Sequence, residues 1–146
     1  MIDYLHLKNF RAFKDQVFRF RKLNLFVGKN NSGKSSAISA LNVLAQTIQD
    51  QDLDASPLVL NGPFDKLGTY IDVVHGNLSR RKMEFEIGYD DWCVAAEFKY
   101  RGQRREIEIT RFELKEYGKS IYKYVARKDA YDVNILGEPY ERLFPK

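Results

Sequence analysis

Residues 23–36 read LNLFVGKNNSGKSS. Leu23, Leu25, Phe26 and Val27 form a short apolar run that stops at Gly28, the pattern of a strand buried on both faces. From Ser35 to Gln49, Ala37, Ile38, Ala40, Leu41, Leu44, Ala45 and Ile48 recur at 3/4 spacing with no Pro or Gly between them, which predicts a helix. The intervening loop matches G-x-x-x-x-G-K-[ST] through Gly28, Gly33, Lys34 and Ser35. Each fixed residue has a physical task there. The glycines permit backbone conformations and close approaches that a Cβ blocks. Loop N–H groups and the helix N-terminus face phosphate oxygens, Lys34 adds a cation, and the Ser35 hydroxyl completes the coordination of Mg²⁺. The competing reading, a glycine-rich turn with a solvated lysine, leaves the strand–loop–helix context unexplained.

Upstream, IDYLHLKNF alternates, with Leu5 and Leu7 on one face and Tyr4, His6 and Lys8 on the other, so a first strand is predicted. QVFRFRKLNLFVG continues as the strand entering the loop. Residues 1–56 thus read as a strand–loop–helix core. Residues 57–79 are turn-rich, punctuated by Asn61-Gly62-Pro63, Gly68 and Gly76-Asn77, and read as a loop with one short helix near Lys66 to Val74. Residues 80–128 read as an antiparallel meander. KMEFEIGY, WCVAAEFKY, REIEITRFELKEY and SIYKYVARK are strand-like runs separated by turn signals. In the third run the apolar parity changes from Ile107 and Ile109 to Phe112 and Leu114, which predicts a β-bulge near Thr110-Arg111. The tail, 129–146, carries no clear pattern.

Composition excludes several classes. A chain of 146 residues with 44% apolar and 30% charged residues buries a real core. One cysteine and two histidines exclude an internal disulfide and disfavour a zinc site. The apolar runs fall short of the ~20 residues that span a bilayer, and the N-terminus lacks a signal-peptide core. A cytoplasmic protein with no membrane partner is expected.

The flanks narrow the options further. The N-K-x-D string that reads guanine is absent, and a nucleotide kinase would alternate strands and helices after its loop rather than enter a meander. Taken together, LHLKNFRAF…LNLFVGKNNSGKSSAISAL resembles the N-terminal head segment of the SMC/RecF-like ABC ATPases. Within that group it looks most like the AAA-type ATPases of the OLD (overcoming lysogenization defect) class, many of which serve bacterial antiphage defence. The resemblance is clear from Met1 to about Leu44, and FDKLGTYIDVVHG is similar to a later segment in some of those proteins.

The resemblance implies a fold: an α/β P-loop NTPase of α+β character, lobe I of an ABC-type head. A mixed sheet would surround the Walker A helix, with an antiparallel β-meander as subdomain. It implies ATP and Mg²⁺ as cofactors. By position, the phosphates would contact Gly28, Asn30, Asn31, Ser32, Gly33, Lys34, Ser35 and Ser36, with Mg²⁺ on Ser35. Asn9 and Arg11 of the N-F-R match would lie beside the nucleotide, the arginine relaying nucleotide state. Gln46, Gln49 and Gln103 fit no glutamine-loop context. A Walker B segment and an LSGGQ-like signature are not recognisable. Tyr70-Ile71-Asp72-Val73 is the nearest to the former, with too short an apolar lead. The 146 residues are therefore expected to be the N-terminal lobe of a longer or split ATPase that binds nucleotide without turning it over. No catalytic residue is assigned.

Expected partners are the rest of its own head or a second head, a nuclease partner or domain, and DNA. Lys8 to Lys22, Arg80-Arg81-Lys82 and Arg101/Arg104/Arg105 are basic clusters compatible with duplex binding, although the interspersed glutamates favour solvated sheet faces. Tyr117, Tyr122, Tyr124 and Tyr131 suit either base stacking or cross-strand packing, the latter preferred. The alternative function is a non-catalytic scaffold stabilised by nucleotide, docking a nuclease or nucleic acid.

Overall fold

The computed structural model describes residues 1–30, 32–49, 56–127 and 131–140. One antiparallel sheet dominates it. Its strands are β1 (Ile2–Phe10), β2 (Phe13–Arg19), β3 (Met83–Tyr89), β4 (Trp92–Arg101), β5 (Glu106–Glu116), β6 (Lys119–Ala126), β7 (Tyr131–Ile135) and β8 (Glu138–Tyr140). Their spatial order is β2-β1-β3-β4-β5-β6-β7-β8. The meander from β3 to β8 follows chain order, and the β1–β2 hairpin joins it through β1 pairing with β3, Leu7 opposite Phe85.

The alternation in the sequence sorts the two faces. Leu5, Leu7, Met83, Phe85 and Phe98 are buried on one face. Phe85 makes edge contacts with Phe10 and Phe98 at 5.1 and 5.9 Å. The opposite face carries charge: Lys8 Nζ lies 3.2 Å from Glu84, and Glu84 also faces Arg111.

Helix α1 (Lys34–Gln49) lies over the apolar face, burying Ala37, Ala40 and Val43. Leu58, Leu60, Tyr70, Val73 and Val74 fill the remaining space. Gln46 is buried on the same helix face. Its amide donates to Val59 O at 2.6 Å and accepts from Asp65 N at 3.1 Å, latching the 58–65 strap to the helix. Asn61 then ties both backbone groups of Gly68. The expected short helix is present as α2 (Tyr70–Val73), followed by the 3₁₀ turn His75–Asn77. Tyr70 anchors it: the ring stacks on Tyr100 at 5.6 Å, its hydroxyl sits among Arg81 O, Phe98 O and Met83 N, and burial pushes the phenol up to about 12.

The parity change in β5 is a bulge. Glu97 opposes Arg111 and Phe98 opposes Ile109, leaving Thr110 as the extra residue. Its hydroxyl donates to Glu97 Oε1 at 2.5 Å.

Two expectations need correction. Every named pairing among the described residues is antiparallel, so the mixed sheet around the Walker A helix is not what forms. Nor is 23–27 a buried strand. Leu23, Leu25 and Val27 are 88%, 84% and 77% exposed, and only Phe26 turns inward, against Phe18. The physical reason is local. Asn24 closes a turn on Arg21 through both its amide atoms, steering the chain off the sheet after β2. A strand buried on both faces needs pairing neighbours and covering layers, and the described residues supply none for this run.

Candidate functional site

The loop 28–33 turns directly into α1. Gly28 and Gly33 have φ of 154° and 91°. A Cβ on Gly33 would meet the Phe13 ring at 2.7 Å, and one on Gly28 would meet Ser32 Oγ at 2.8 Å. Phe13, the first residue of β2, is therefore the floor on which the loop rests. Ser32 N closes the turn on Lys29 O at 3.2 Å, and Ala37 N begins the helical ladder on Gly33 O at 3.0 Å. Lys34 folds back into this turn: its ammonium donates to Gly28 O and Lys29 O, both at 2.7 Å.

Beside the loop is an open groove of about 750 Å³. It gathers Arg11, Asn30, Gly33, Lys34, Ser35 and Ser36 from the residues singled out in the sequence. Ser35 is exposed at the first turn of α1, and Ser36 is buried behind it. Arg11 occupies the β1–β2 turn in a left-handed conformation with φ 47°. Its N–H donates to Val73 O at 2.6 Å, its carbonyl accepts from His75 Nδ1 at 2.8 Å, and its guanidinium reaches Ser39 Oγ at 3.3 Å. The arginine therefore bridges the hairpin, α1 and the α2 segment.

Asn9 is placed differently. It does not line the groove, and its side-chain amide donates to Lys82 O at 2.9 Å. Gly28 and Ser32 belong to the loop, Gly28 through the carbonyl that holds Lys34. Asn31 lies outside the described residues. Of the glutamines weighed, Gln46 is spent on the strap.

The opposite wall was not read from the sequence. Asp72, Gly76 and Asn77 line it, brought there by α2 and the turn that follows. The signals in the sequence are the FDKLGTYIDVVHG resemblance and Tyr70-Ile71-Asp72-Val73, the nearest approach to a Walker B segment. Asp72 sits in a four-residue helix, not a strand. Its carboxylate accepts from the Thr69 N–H and hydroxyl, both at 2.7 Å, which holds it below the usual aspartate range.

An anionic ligand suits this donor set. Cradle positions that a Cβ would fill, a helix N-terminus and an ammonium with exchangeable carbonyl partners are what phosphate groups require. Ser35, exposed at the first turn of α1, brings a hydroxyl to the groove of the kind that ligates a phosphate-bound Mg²⁺. Among the described residues no cluster of His, Cys, Asp and Glu could hold a metal alone.

Strand–hairpin floor, glycine loop, lysine and helix together define a P-loop nucleotide-binding protein. The family model for the AAA ATPase domain matches residues 1–137, and the chain belongs to that family. No curated protein matched the sequence. Membership implies use of a nucleotide, typically with Mg²⁺. Among the described residues no helix is long and apolar enough to cross a membrane.

Proposed function

We propose that this chain is the ATP-binding lobe of an SMC/RecF/OLD-like ATPase, in which ATP-dependent pairing of heads switches a DNA-directed or antiphage activity. The observation that carries the reading is the groove itself, where Lys34 and Ser35 of α1 meet Arg11 of the β1–β2 turn. In this scheme Lys34 exchanges its loop carbonyls for β- and γ-phosphate oxygens, and Ser35 turns its hydroxyl to Mg²⁺. Mg²⁺ held by Ser35 would supply charge neutralisation of the phosphates. Ser36 contacts the α-phosphate, while Arg11 carries the nucleotide's presence to Val73 and His75 through its own backbone bonds.

A second feature supports completion by a further layer. Helix α1 carries apolar side chains outward as well as inward: Ile38, Ala45 and Ile48 are exposed opposite its buried face. Leu23, Leu25 and Val27 are exposed as well, and apolar residues left in this way suit cover by another sheet of the same head.

The test is steady-state ATP turnover by the intact gene product against Lys34→Ala. Loss of turnover in the variant is expected, and equal turnover removes the enzyme reading. Residues 1–146 alone should bind ATP in a Mg²⁺- and Lys34-dependent way without turning it over. Robust hydrolysis by that segment would show that the water-aligning groups lie within it. The alternative, a nucleotide-stabilised scaffold, is favoured by one detail: Asp72, the acid on the groove wall, is already occupied in capping α2. ATP binding by the intact product without any turnover would select it.

A further inference from the structure

The β4–β5 hairpin projects beyond the rest of the meander. β6 pairs only with Arg111 to Glu116 of β5, so Glu106 to Thr110 has no strand neighbour on that side among the described residues. A groove of about 580 Å³ opens on the charged side of this arm. Lys82, Lys99, Arg101, Arg104 and Arg127 line it against a single carboxylate, Glu108. In register, Lys99 and Arg101 alternate with Tyr100, which places both cations on the side away from the core.

Four of these cations have acidic partners, yet the pairs are lopsided in exposure. The side chains of Lys82 and Glu97 are 47% and 22% exposed, those of Arg104 and Glu106 66% and 49%, and those of Arg127 and Asp132 68% and 42%. Arg101 and Glu108 follow the same order, at 36% and 22%. The carboxylates sit deeper and orient the cations outward. Lys99 forms no ion pair among the described residues. Five cations therefore stand against four partner carboxylates, an excess of one positive charge carried by Lys99.

Across the same strand edge lies a second groove, of about 690 Å³, on the apolar side. Ile107, Ile109, Phe112, Tyr122 and Tyr124 line it with Glu106, while Arg101, Arg104 and Glu108 border both grooves. Phe112 and Tyr122 meet edge to face at 6.0 Å, fixing their rings.

We propose that this arm docks single-stranded nucleic acid, its phosphates in the basic groove and a base against the aromatic wall beyond the strand edge. Cations that track a backbone beside ring faces are what unpaired strands bind. An acidic peptide would use the cations and leave the rings idle. A duplex keeps its bases stacked inside and could not reach the apolar groove. No Walker A residue takes part, so this surface is separate from the nucleotide site.

The experiment measures fluorescence anisotropy of a labelled 15-nucleotide oligothymidylate on the full-length chain, without ATP, from about 50 to 200 mM salt. Matched duplex and polyglutamate serve as competitors. Binding that weakens with salt and resists both competitors is expected. Lys99→Ala and Arg104→Ala should each shallow the log–log salt slope by roughly 0.7. Tyr124→Ala should weaken binding about tenfold at unchanged slope, and Tyr124→Phe, which keeps the ring and the fold, should restore it. The proposal is overturned by no binding at low salt, by preference for duplex, by equal displacement with polyglutamate, or by unchanged slopes in both cation variants.

Discussion

Gly88 shows how one missing side chain sets a strand pairing. Tyr4 of β1 lies across it, and a Cβ there would fall 2.0 Å from the tyrosine ring. The ring is held by its hydroxyl, which donates to Glu86 at 2.6 Å, with Cys93 Sγ 3.3 Å away. Burial, then these neighbours, raises the phenol far above its ordinary value. Gly88→Ala should therefore cost about 1–3 kcal/mol, read as a lowered urea midpoint at unchanged m. Gln46→Leu should cost a similar ~1–3 kcal/mol, because Val59 O and Asp65 N lose their partner. Asp72 gives a pH prediction. Its folded pKa lies below the ordinary 3.8, so the unfolded chain binds the proton more readily. Its contribution is complete above 3.8 and is lost as pH falls through the lower folded value. The Thr69 amide resonance should titrate in that acid window and stay fixed in Asp72→Asn. At this scale the loop itself is legible, since Gly28, Gly33, Lys34 and Ser35 meet through neighbours in sequence. That Asp72 and Asn77 form the groove wall is not legible, because only tertiary packing of α2 brings them there. The placement of Asn9 is likewise a tertiary matter: its backbone is left-handed, φ 54°, and its side chain bonds Lys82 outside the groove.

At the scale of elements, the strands and α1 followed from periodicity because each buries one face. The bulge was legible too, as a parity change that only an extra residue can reconcile with a single buried face. Deleting Thr110 would force either Ile107 and Ile109 or Phe112 and Leu114 to the charged side. A loss of several kcal/mol by chemical denaturation is expected, larger than that of Thr110→Ala. The run 23–27 departs from its pattern because the same apolar letters describe a strand inside a sheet and an exposed apolar strip. Sequence records the hydrophobicity and not the neighbour. Leu25→Ser should thus change the unfolding free energy of this domain by less than about 0.5 kcal/mol. On the proposed function it should nonetheless reduce ATP turnover by the intact protein.

For the whole molecule, the antiparallel sheet is continuous from β2 to β8, and α1 with the 58–74 strap covers part of one face. The nucleotide loop therefore stands at one end, resting on Phe13, while the basic arm stands on β4 and β5. Strand β1 is interior, flanked by β2 and β3, although it precedes all the other named strands in the chain. Its partner residues in β3 follow about eighty positions later. At about 5–20 residues per second, a ribosome needs roughly 4–16 s to deliver them. Throughout that interval Leu5 and Leu7 have a hairpin mate on one side only. A nascent chain arrested before residue 83 should be a better client for holdase chaperones than one arrested after residue 101.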